Sequence, residues 1–154
     1  SAQKNGPQAL GRSRGGLSIK VHTVAVSESQ VLGVILSGGQ EGDAPVGEEM
    51  LAEVLACKEI KAVGADRAYD SDRIRALLAV AGKEAVIPPR SNRTNPPAYD
   101  QEKYKVRNKV ERLFNRLKSY RAVATRYDKL AAMFLGGVLA TLLAVSLKCI
   151  VNTP

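Results

Sequence analysis

Hydrophobic and polar residues alternate in the first part of the chain, and this period of two predicts β-strands. The run LSIKVHTVAV (17–26) alternates and is rich in β-branched residues, as strands are. A short turn separates it from a second run, VLGVILS (31–37), so we expect the two strands to form a hairpin. Two further short apolar runs, KAVGAD (61–66) and EAVIPP (84–89), are also predicted as strands.

Apolar residues recur at helical spacing between and after these strands. The helix after the third strand can be capped by Asp70 or Ser71, because either side-chain oxygen can accept a backbone N–H. Strands that alternate with helices predict an α/β fold, and the initial hairpin makes its sheet mixed. The predicted helices span 44–57, 72–81, 103–120 and 130–151.

The charge of the chain narrows its class of partner. Its 154 residues include 23 Lys and Arg against 15 Asp and Glu, which gives a net charge of +8 and a pI near 9.7. Such a balance favours a polyanion, with nucleic acid before a membrane surface. Ten basic and three acidic residues fall within 102–129, so that segment carries most of the net charge. The polar, glycine-rich residues 1–16 predict a flexible basic lead and no signal peptide.

The basic helix KYKVRNKVERLFNRLK (103–118) contains a single carboxylate, Glu111. At about 100° per residue, one face of this helix is apolar and should pack: Val106, Val110, Leu113, Phe114 and Leu117. A neighbouring arc holds Tyr104, Arg107, Glu111 and Lys118. Glu111 is therefore expected at the edge of the packed face. Its simplest interpretation is ion pairing with Arg107 and Arg112, worth about 0.2–0.5 kcal/mol each.

A second carboxylate, Asp66, favours a metal-binding role for Glu111 over simple ion pairing. An acid at the carboxyl end of a buried strand lies where α/β sheets place ligands and catalytic groups, although an isolated Asp more often only starts a turn. Two carboxylates can bind Mg²⁺ with substrate phosphate as a further ligand. A pair of such ions can carry out phosphodiester chemistry, while nearby Lys and Arg hold the DNA backbone.

The sequence resembles the carboxyl-terminal part of bacterial insertion-sequence transposases of the DDE class. The spacing Tyr104-x2-Arg107-x3-Glu111-x6-Lys118 is similar to the signature around the catalytic Glu of that family. The block ADRAYDSD (65–72) is similar to the one that carries the second catalytic Asp. Three other blocks resemble the family in the same order: GRSRGGLSIKVH (11–22), IPPRSNR (87–93) and TRYDKLAAMFL (125–135).

The resemblance implies a ribonuclease-H-like fold, Mg²⁺ or Mn²⁺, and cleavage and transfer of DNA strands at the ends of a mobile element. It makes Asp66 and Glu111 the catalytic metal ligands. Lys118 and Arg107 would position phosphate, and Tyr104 would lie near the cut strand, with packing at an interface as an equal alternative.

The resemblance also implies the partners of the chain. Arg90 and Arg93 in the proline-rich loop can contact DNA, or can be solvated loop charges. Besides DNA, the family implies an amino-terminal half of the transposase and assembly into a homo-oligomer. The expected location is the bacterial cytoplasm, at the nucleoid, and the two distant cysteines, Cys57 and Cys149, agree with a reducing compartment.

The first of the family's three carboxylates has no counterpart in the sequence. Asp43, Asp70 and Asp72 lie outside the expected context of that residue. We therefore expect 1–154 to be one partial catalytic domain whose first, central strand is absent, and to be inactive alone. Unpaired interior strand edges would also favour association or aggregation.

Two other functions stay open from the sequence. One is a DNA-binding remnant without enzymatic activity that uses only the basic helix 103–120. The other is a membrane-associated protein held by 130–147, which has 18 residues without charge. Eight of those 18 residues are Ala, Gly, Ser or Thr, so we expect a packed helix and no membrane partner. His22, the only histidine, is expected to be structural.

Overall fold

The chain forms two compact units in a computed structural model. The first unit combines residues 1–41 with residues 109–154, and the second unit comprises residues 42–108. Each unit has its own sheet and its own core. The structure describes residues 11–13, 16–57, 60–125 and 130–151.

A three-stranded antiparallel sheet in the order β1-β2-β3 and three helices make up the first unit. The β2–β3 hairpin pairs His22 with Ile35 and is interrupted by a register shift between Val24 and Ala25. The hairpin predicted from the alternating pattern is thereby confirmed. The elements of this unit are β1 (Gly11–Ser13), β2 (Gly16–Ala25), β3 (Val31–Gly38), α4 (Asn108–Lys118), α5 (Arg121–Ala124) and α6 (Ala131–Val151).

The core of the first unit lies between two helices and the hairpin. Its buried side chains come from α4 and α6 at intervals of four residues, so each helix presents one continuous apolar stripe. Half-buried residues of β2 and β3 pack against them. Both helices also contact the hairpin turn, because Arg116 pairs with Glu28 at 3.5 Å and Ser146 Oγ donates to the Ser29 carbonyl. The buried core residues are Leu113, Leu117, Phe134, Val138 and Leu142.

His22 has the structural role expected for it. Its side chain is buried on β2, and its Nε2 atom lies 2.8 Å from the Ser37 Oγ atom on β3. This bond joins the two strands and satisfies two polar groups that would otherwise be costly to bury.

The second unit contains a parallel pair of short strands and two main helices. Its core consists of Leu51, Ile74, Leu78 and Ile87. Parallel strands need a crossover, which α2 supplies between β4 and β5. The elements are α1 (Asp43–Cys57), β4 (Ala62–Gly64), a 3-10 turn (Arg67–Tyr69), α2 (Asp72–Val80), β5 (Glu84–Val86), α3 (Gln101–Tyr104) and a second 3-10 turn (Lys105–Arg107).

Helix α2 begins at the predicted residue and ends at Val80, one residue before the predicted end. Ser71 is the N-cap, and its Oγ atom accepts from the Ile74 backbone N at 3.1 Å. Asp70, the alternative cap, instead accepts hydrogen bonds from arginines. Gly82 follows the helix with a φ of 66°, a conformation that glycine adopts without steric cost, and Lys83 N then bonds Leu78 O at 2.8 Å.

The α/β class is confirmed, in the form of two small sheets, while the ribonuclease-H-like sheet stays a prediction. Residues 11–13 lie in the segment predicted as a flexible lead, yet they form β1 and pair with residues 16–18 of β2. Residues 1–10 and 14–15 of that lead lie outside the described residues. Among the residues that are described, no helix has the length and hydropathy needed to cross a bilayer.

The single helix predicted over 103–120 is wrong, because residues 105–107 form a 3-10 turn between α3 and α4. A 3-10 turn advances about 120° per residue where an α-helix advances about 100°. A stripe extrapolated at about 100° per residue therefore does not apply through residues 105–107. Val106, within the turn, is 54% exposed, although the continuous stripe placed it in the core, whereas Leu113 and Leu117 of α4 are buried as predicted.

Candidate active site

Asp66 lies two residues after the end of β4 and is the N-cap of the 3-10 turn 67–69. Its Oδ1 atom accepts from the Ala68 backbone N at 2.6 Å, and its carbonyl accepts from Tyr69 N at 3.1 Å. The first bond fixes the carboxylate relative to the backbone, and the second closes the turn. Across the described part of the chain, no hydrogen bond is made to the other carboxylate oxygen, and the side chain is partly exposed. Asp66 therefore presents one oriented oxygen for further ligation.

Tyr69 holds this turn against α1. Gly47 of α1 leaves space for the ring, because a Cβ atom there would lie 2.5 Å from Tyr69 Cδ1. Burial raises the pKa of the Tyr69 phenol to about 12, and the charges of Asp43 and Asp66 add to the effect. The phenol thus stays protonated at neutral pH, and its ring fixes the position of the turn that carries Asp66.

Asp70 is the buried centre of an arginine cluster. Its Oδ1 atom accepts from Arg75 Nε at 2.7 Å, and its Oδ2 atom accepts from Arg93 Nε at 2.6 Å and from the Arg90 backbone N at 2.8 Å. Burial raises the pKa of this carboxyl, but the hydrogen bonds from Arg93, Arg90 and Arg75 outweigh it and hold the pKa at about 2. Asp70 is therefore ionised whenever the unit is folded near neutral pH.

The arginines of this cluster fix the loop after β5. Arg75 Nη2 donates to the Ile87 carbonyl at 2.8 Å, and Arg93 Nη1 pairs with the exposed Asp72 at 2.7 Å. Arg90 reaches the other way, and its Nη2 atom donates to the Ala68 carbonyl at 2.9 Å. The proline-rich loop is thereby joined to the turn that follows Asp66.

Tyr104 and Arg107, the first two residues of the signature, are neighbours in the second unit. The Arg107 guanidinium lies 5.5 Å from the centre of the Tyr104 ring, a cation–π distance. Tyr99 meets the same ring edge-on, with ring centres 5.7 Å apart. Lys103 ties this segment to β5 by pairing with Glu84 at 2.6 Å. The aromatic face and the cation are thus held together before any ligand binds.

Glu111 and Lys118, the other two residues of the signature, are exposed on α4. They are seven residues apart, and so lie on one face of the helix. Glu111 falls in the first turn of α4, which follows the 3-10 turn 105–107 without a break in helical backbone at Asn108.

The predicted site residues thus fall into groups within the two units. Arg90 and Arg93 lie with the Asp66 turn, Tyr104 lies with Arg107, and Glu111 shares a helix with Lys118. The convergence of Asp66 and Glu111 stays a prediction. For the residues that the structure describes, no group of three or more His, Cys, Asp or Glu is placed to hold a metal ion.

Comparison with known proteins decides the family. Residues 63–148, more than half of the chain, match the family described as "Transposase DDE domain". The chain belongs to this DDE transposase family. It is also 34% identical over 123 residues to a Brucella ovis protein named "Putative transposase for insertion sequence element IS6501", which covers 79% of this chain and 92% of that relative. No solved structure gives a significant match.

Membership of the DDE transposases identifies the class of activity as DNA transposition, with DNA as substrate and divalent metal as the usual cofactor. The matched region includes the Asp66 turn, the Asp70 cluster and the whole Tyr104–Lys118 signature. The resemblance to an insertion-sequence transposase is therefore confirmed.

Asp70 was missed by sequence reasoning, which placed it at a helix start and gave it no further role. One signal was available in the sequence. Ser71 already supplies a good cap, so the adjacent acid is redundant as a cap, while Arg75 follows five residues later and Arg90 and Arg93 lie in the next motif block. The burial of Asp70 could not be predicted, because it depends on how the loop after β5 folds back.

Proposed function

We propose that this chain provides the second Asp and the catalytic Glu of a transposase that cleaves and transfers DNA strands at insertion-sequence ends. Asp66 and Glu111 are the two residues. The observation that carries the proposal is the Asp66 carboxylate, held by Ala68 N at 2.6 Å with its second oxygen directed to no described partner. A ligand of a catalytic cation requires a carboxylate that is held in one orientation and has an oxygen available for the cation.

The donor chemistry of these residues fits Mg²⁺ or Mn²⁺. Both carboxylates are hard oxygen donors, and Mg²⁺ is often bound through one or two carboxylates with water and substrate phosphate completing the shell. When bound, the cation would activate water and stabilise the leaving oxygen at phosphorus. The third carboxylate of the family would come from a segment that carries the first Asp on a central strand of a ribonuclease-H-like sheet, and the chain alone would be inactive.

The basic side chains would hold the DNA. Arg107 offers a planar guanidinium for bidentate phosphate contact and is already stacked near the Tyr104 ring, which can in turn contact a base or sugar. Lys118 adds a point charge at the exposed end of α4. Arg90 would contribute the part of its guanidinium that its bond to Ala68 leaves unused, and Arg93 the nitrogen that Asp70 and Asp72 do not engage. These contacts orient the phosphodiester for in-line attack, and the 3′-hydroxyl freed by cleavage then attacks target DNA.

Strand nicking of element-end DNA tests this proposal. The chain is combined with the family's Asp-bearing amino-terminal segment, and Asp66→Asn and Glu111→Gln are compared with Asp72→Asn, an exposed carboxylate of the same motif block. We expect nicking that requires Mg²⁺ or Mn²⁺, is lost in the first two variants and is kept in the third, with unchanged circular dichroism throughout. Retained metal-dependent nicking in Asp66→Asn or Glu111→Gln would refute the assignment.

A DNA-binding function without catalysis is the second candidate. It is favoured by the row of exposed basic residues on α4, which includes Lys109, Arg112 and Lys118. If this is the whole function, binding would be independent of metal. Its affinity would fall by about 10³-fold or more between 50 and 200 mM salt if about six phosphates are held. Metal-dependent nicking decides against it.

A further inference from the structure

The Asp66 carboxylate is connected to the buried Asp70 carboxylate by a short series of hydrogen bonds. Ala68 N donates to Asp66 Oδ1 at 2.6 Å, and the Ala68 carbonyl accepts from Arg90 Nη2 at 2.9 Å. The Arg90 backbone N then donates to Asp70 Oδ2 at 2.8 Å. The Ala68 N–H thus bonds Asp66, and the Ala68 carbonyl bonds Arg90. The Arg90 backbone is in turn bonded by Asp70.

Backbone hydrogen bonds also link Asp66 to Asp70. Tyr69 N bonds the Asp66 carbonyl at 3.1 Å, and Asp70 N bonds the Arg67 carbonyl at 3.2 Å, so the residues from Asp66 to Asp70 form one tight turn. The end of this turn is anchored by the Asp70 side chain, whose oxygens accept three donors from α2 and the proline-rich loop. The Ala68 N–H orients the Asp66 carboxylate, and Arg90 restrains Ala68 by bonding its carbonyl.

We infer that Asp70 is a positioning residue for the reaction: it fixes the Asp66 carboxylate through Arg90 and Ala68. Its side chain is fully buried at 0% exposure, so it acts through other residues and touches neither DNA nor cation. The inference rests on the proposed role of Asp66 as a metal ligand. Partners that orient a ligand from outside its first shell commonly change metal affinity or activity by about 10–100-fold when they are lost.

Asp70→Asn is the direct test, in the chain combined with the family's Asp-bearing amino-terminal segment. The amide is nearly isosteric, but one of its two acceptor oxygens becomes an NH₂ group that faces arginine donors. We expect kcat for nicking to fall about 10–100-fold while KM for DNA stays within about twofold. Asp72→Asn is the matched control, because it also loses a contact to Arg93 but lies outside the connection to Ala68. It should keep kcat within about twofold.

Hydrogen exchange separates positioning from general loss of structure. The Ala68 amide should exchange faster in Asp70→Asn relative to the amide of Leu78, a core residue of the same unit. If Asp70→Asn does not fold, Arg90→Ala provides the second variant, because its exposed side chain can be removed without altering the buried carboxylate. It should also accelerate Ala68 exchange and lower kcat.

The outcomes distinguish the inference from the proposed function. Unchanged Ala68 exchange and unchanged kcat in a folded Asp70→Asn protein would overturn the inference, as would unchanged Ala68 exchange in Arg90→Ala. A wild-type protein without metal-dependent nicking would refute the proposed function, and the Ala68 exchange ratio would still show whether Asp70 controls the turn.

Discussion

Replacement of Gly47 by alanine should disturb the turn that carries Asp66, although the two residues are far apart in sequence. A Cβ atom at Gly47 would lie 2.5 Å from Tyr69 Cδ1, 2.9 Å from Tyr69 Cε1 and 3.4 Å from Ile74 Cδ1. Carbon atoms pack best at about 3.5–4.0 Å, so the Tyr69 ring or α1 has to move. Because Tyr69 belongs to the 3-10 turn, the displacement would be transmitted to Asp66.

Two opposing effects set the size of the change. Alanine is favoured over glycine within a helix by about 1 kcal/mol. Overpacking of a tight contact costs about 1–3 kcal/mol. Gly136 in α6 isolates the first effect, because an ideal Cβ there would have no described atom within 4 Å. Gly136→Ala should therefore stabilise its unit by about 0.5–1 kcal/mol, and Gly47→Ala should be about 1–3 kcal/mol less favourable than that.

Native-state hydrogen exchange measures both effects, since it gives a local free energy of opening for α1 and α6 separately. Tyr69→Ala provides a further control. In that background the clashing ring is absent, and Gly47→Ala should become as favourable as Gly136→Ala. Equal free-energy changes for the two glycines in the wild-type background would show that Tyr69 does not pack on Gly47, and the account of how α1 fixes the Asp66 turn would be wrong.

Two further predictions concern Asp70 and the helix break. The pKa of Asp70 is about 2 in the folded protein against 3.8 ordinarily, so its contribution is present above about pH 4 and is lost as the pH falls through 2. The shift is worth about 1–2 kcal/mol after allowance for the solvent that reaches Arg75 and Arg93, which are 16% and 21% exposed. Urea unfolding at pH 2 to 6 should therefore show a smaller loss of stability in Asp70→Asn than in wild type, and parallel curves would contradict the cluster. Leu113→Ala should cost about 3–5 kcal/mol and Val106→Ala less than about 0.5 kcal/mol, because only the former is buried. If thermal or urea unfolding gave similar losses of stability for the two variants, Val106 would have to be buried like Leu113, as the continuous helix predicted.

The secondary structure could largely be predicted because its signals are local. The period of two in 17–26 and 31–37 and the cap at Ser71 each specify an element without reference to distant residues. The break at 105–107 could not be predicted, since Lys105 and Arg107 are good helix formers and no Gly or Pro marks a break there.

The candidate site was only partly predictable for the same reason. The spacing of Tyr104, Arg107, Glu111 and Lys118 suggested the family that the comparisons show, and in the structure the Arg107 guanidinium lies near the Tyr104 ring. The partners of Asp70 come from residues 5 to 23 positions away, in contacts that no periodic pattern encodes. Arg93 illustrates the consequence, because a loop charge expected to be solvated or bound to DNA is already paired with Asp70 and Asp72.

The central claim is that Asp66 and Glu111 bind one cation together, and a double-mutant cycle on Mn²⁺ affinity tests it most directly. Binding is followed by electron paramagnetic resonance for wild type, Asp66→Asn, Glu111→Gln and the double variant, each combined with the Asp-bearing segment. If the two carboxylates share the ion, each single change weakens binding and the double variant binds no more weakly than the weaker single one, a coupling of at least about 1.4 kcal/mol. Fold-changes that simply multiply in the double variant, or an affinity that neither substitution alters, would contradict the claim.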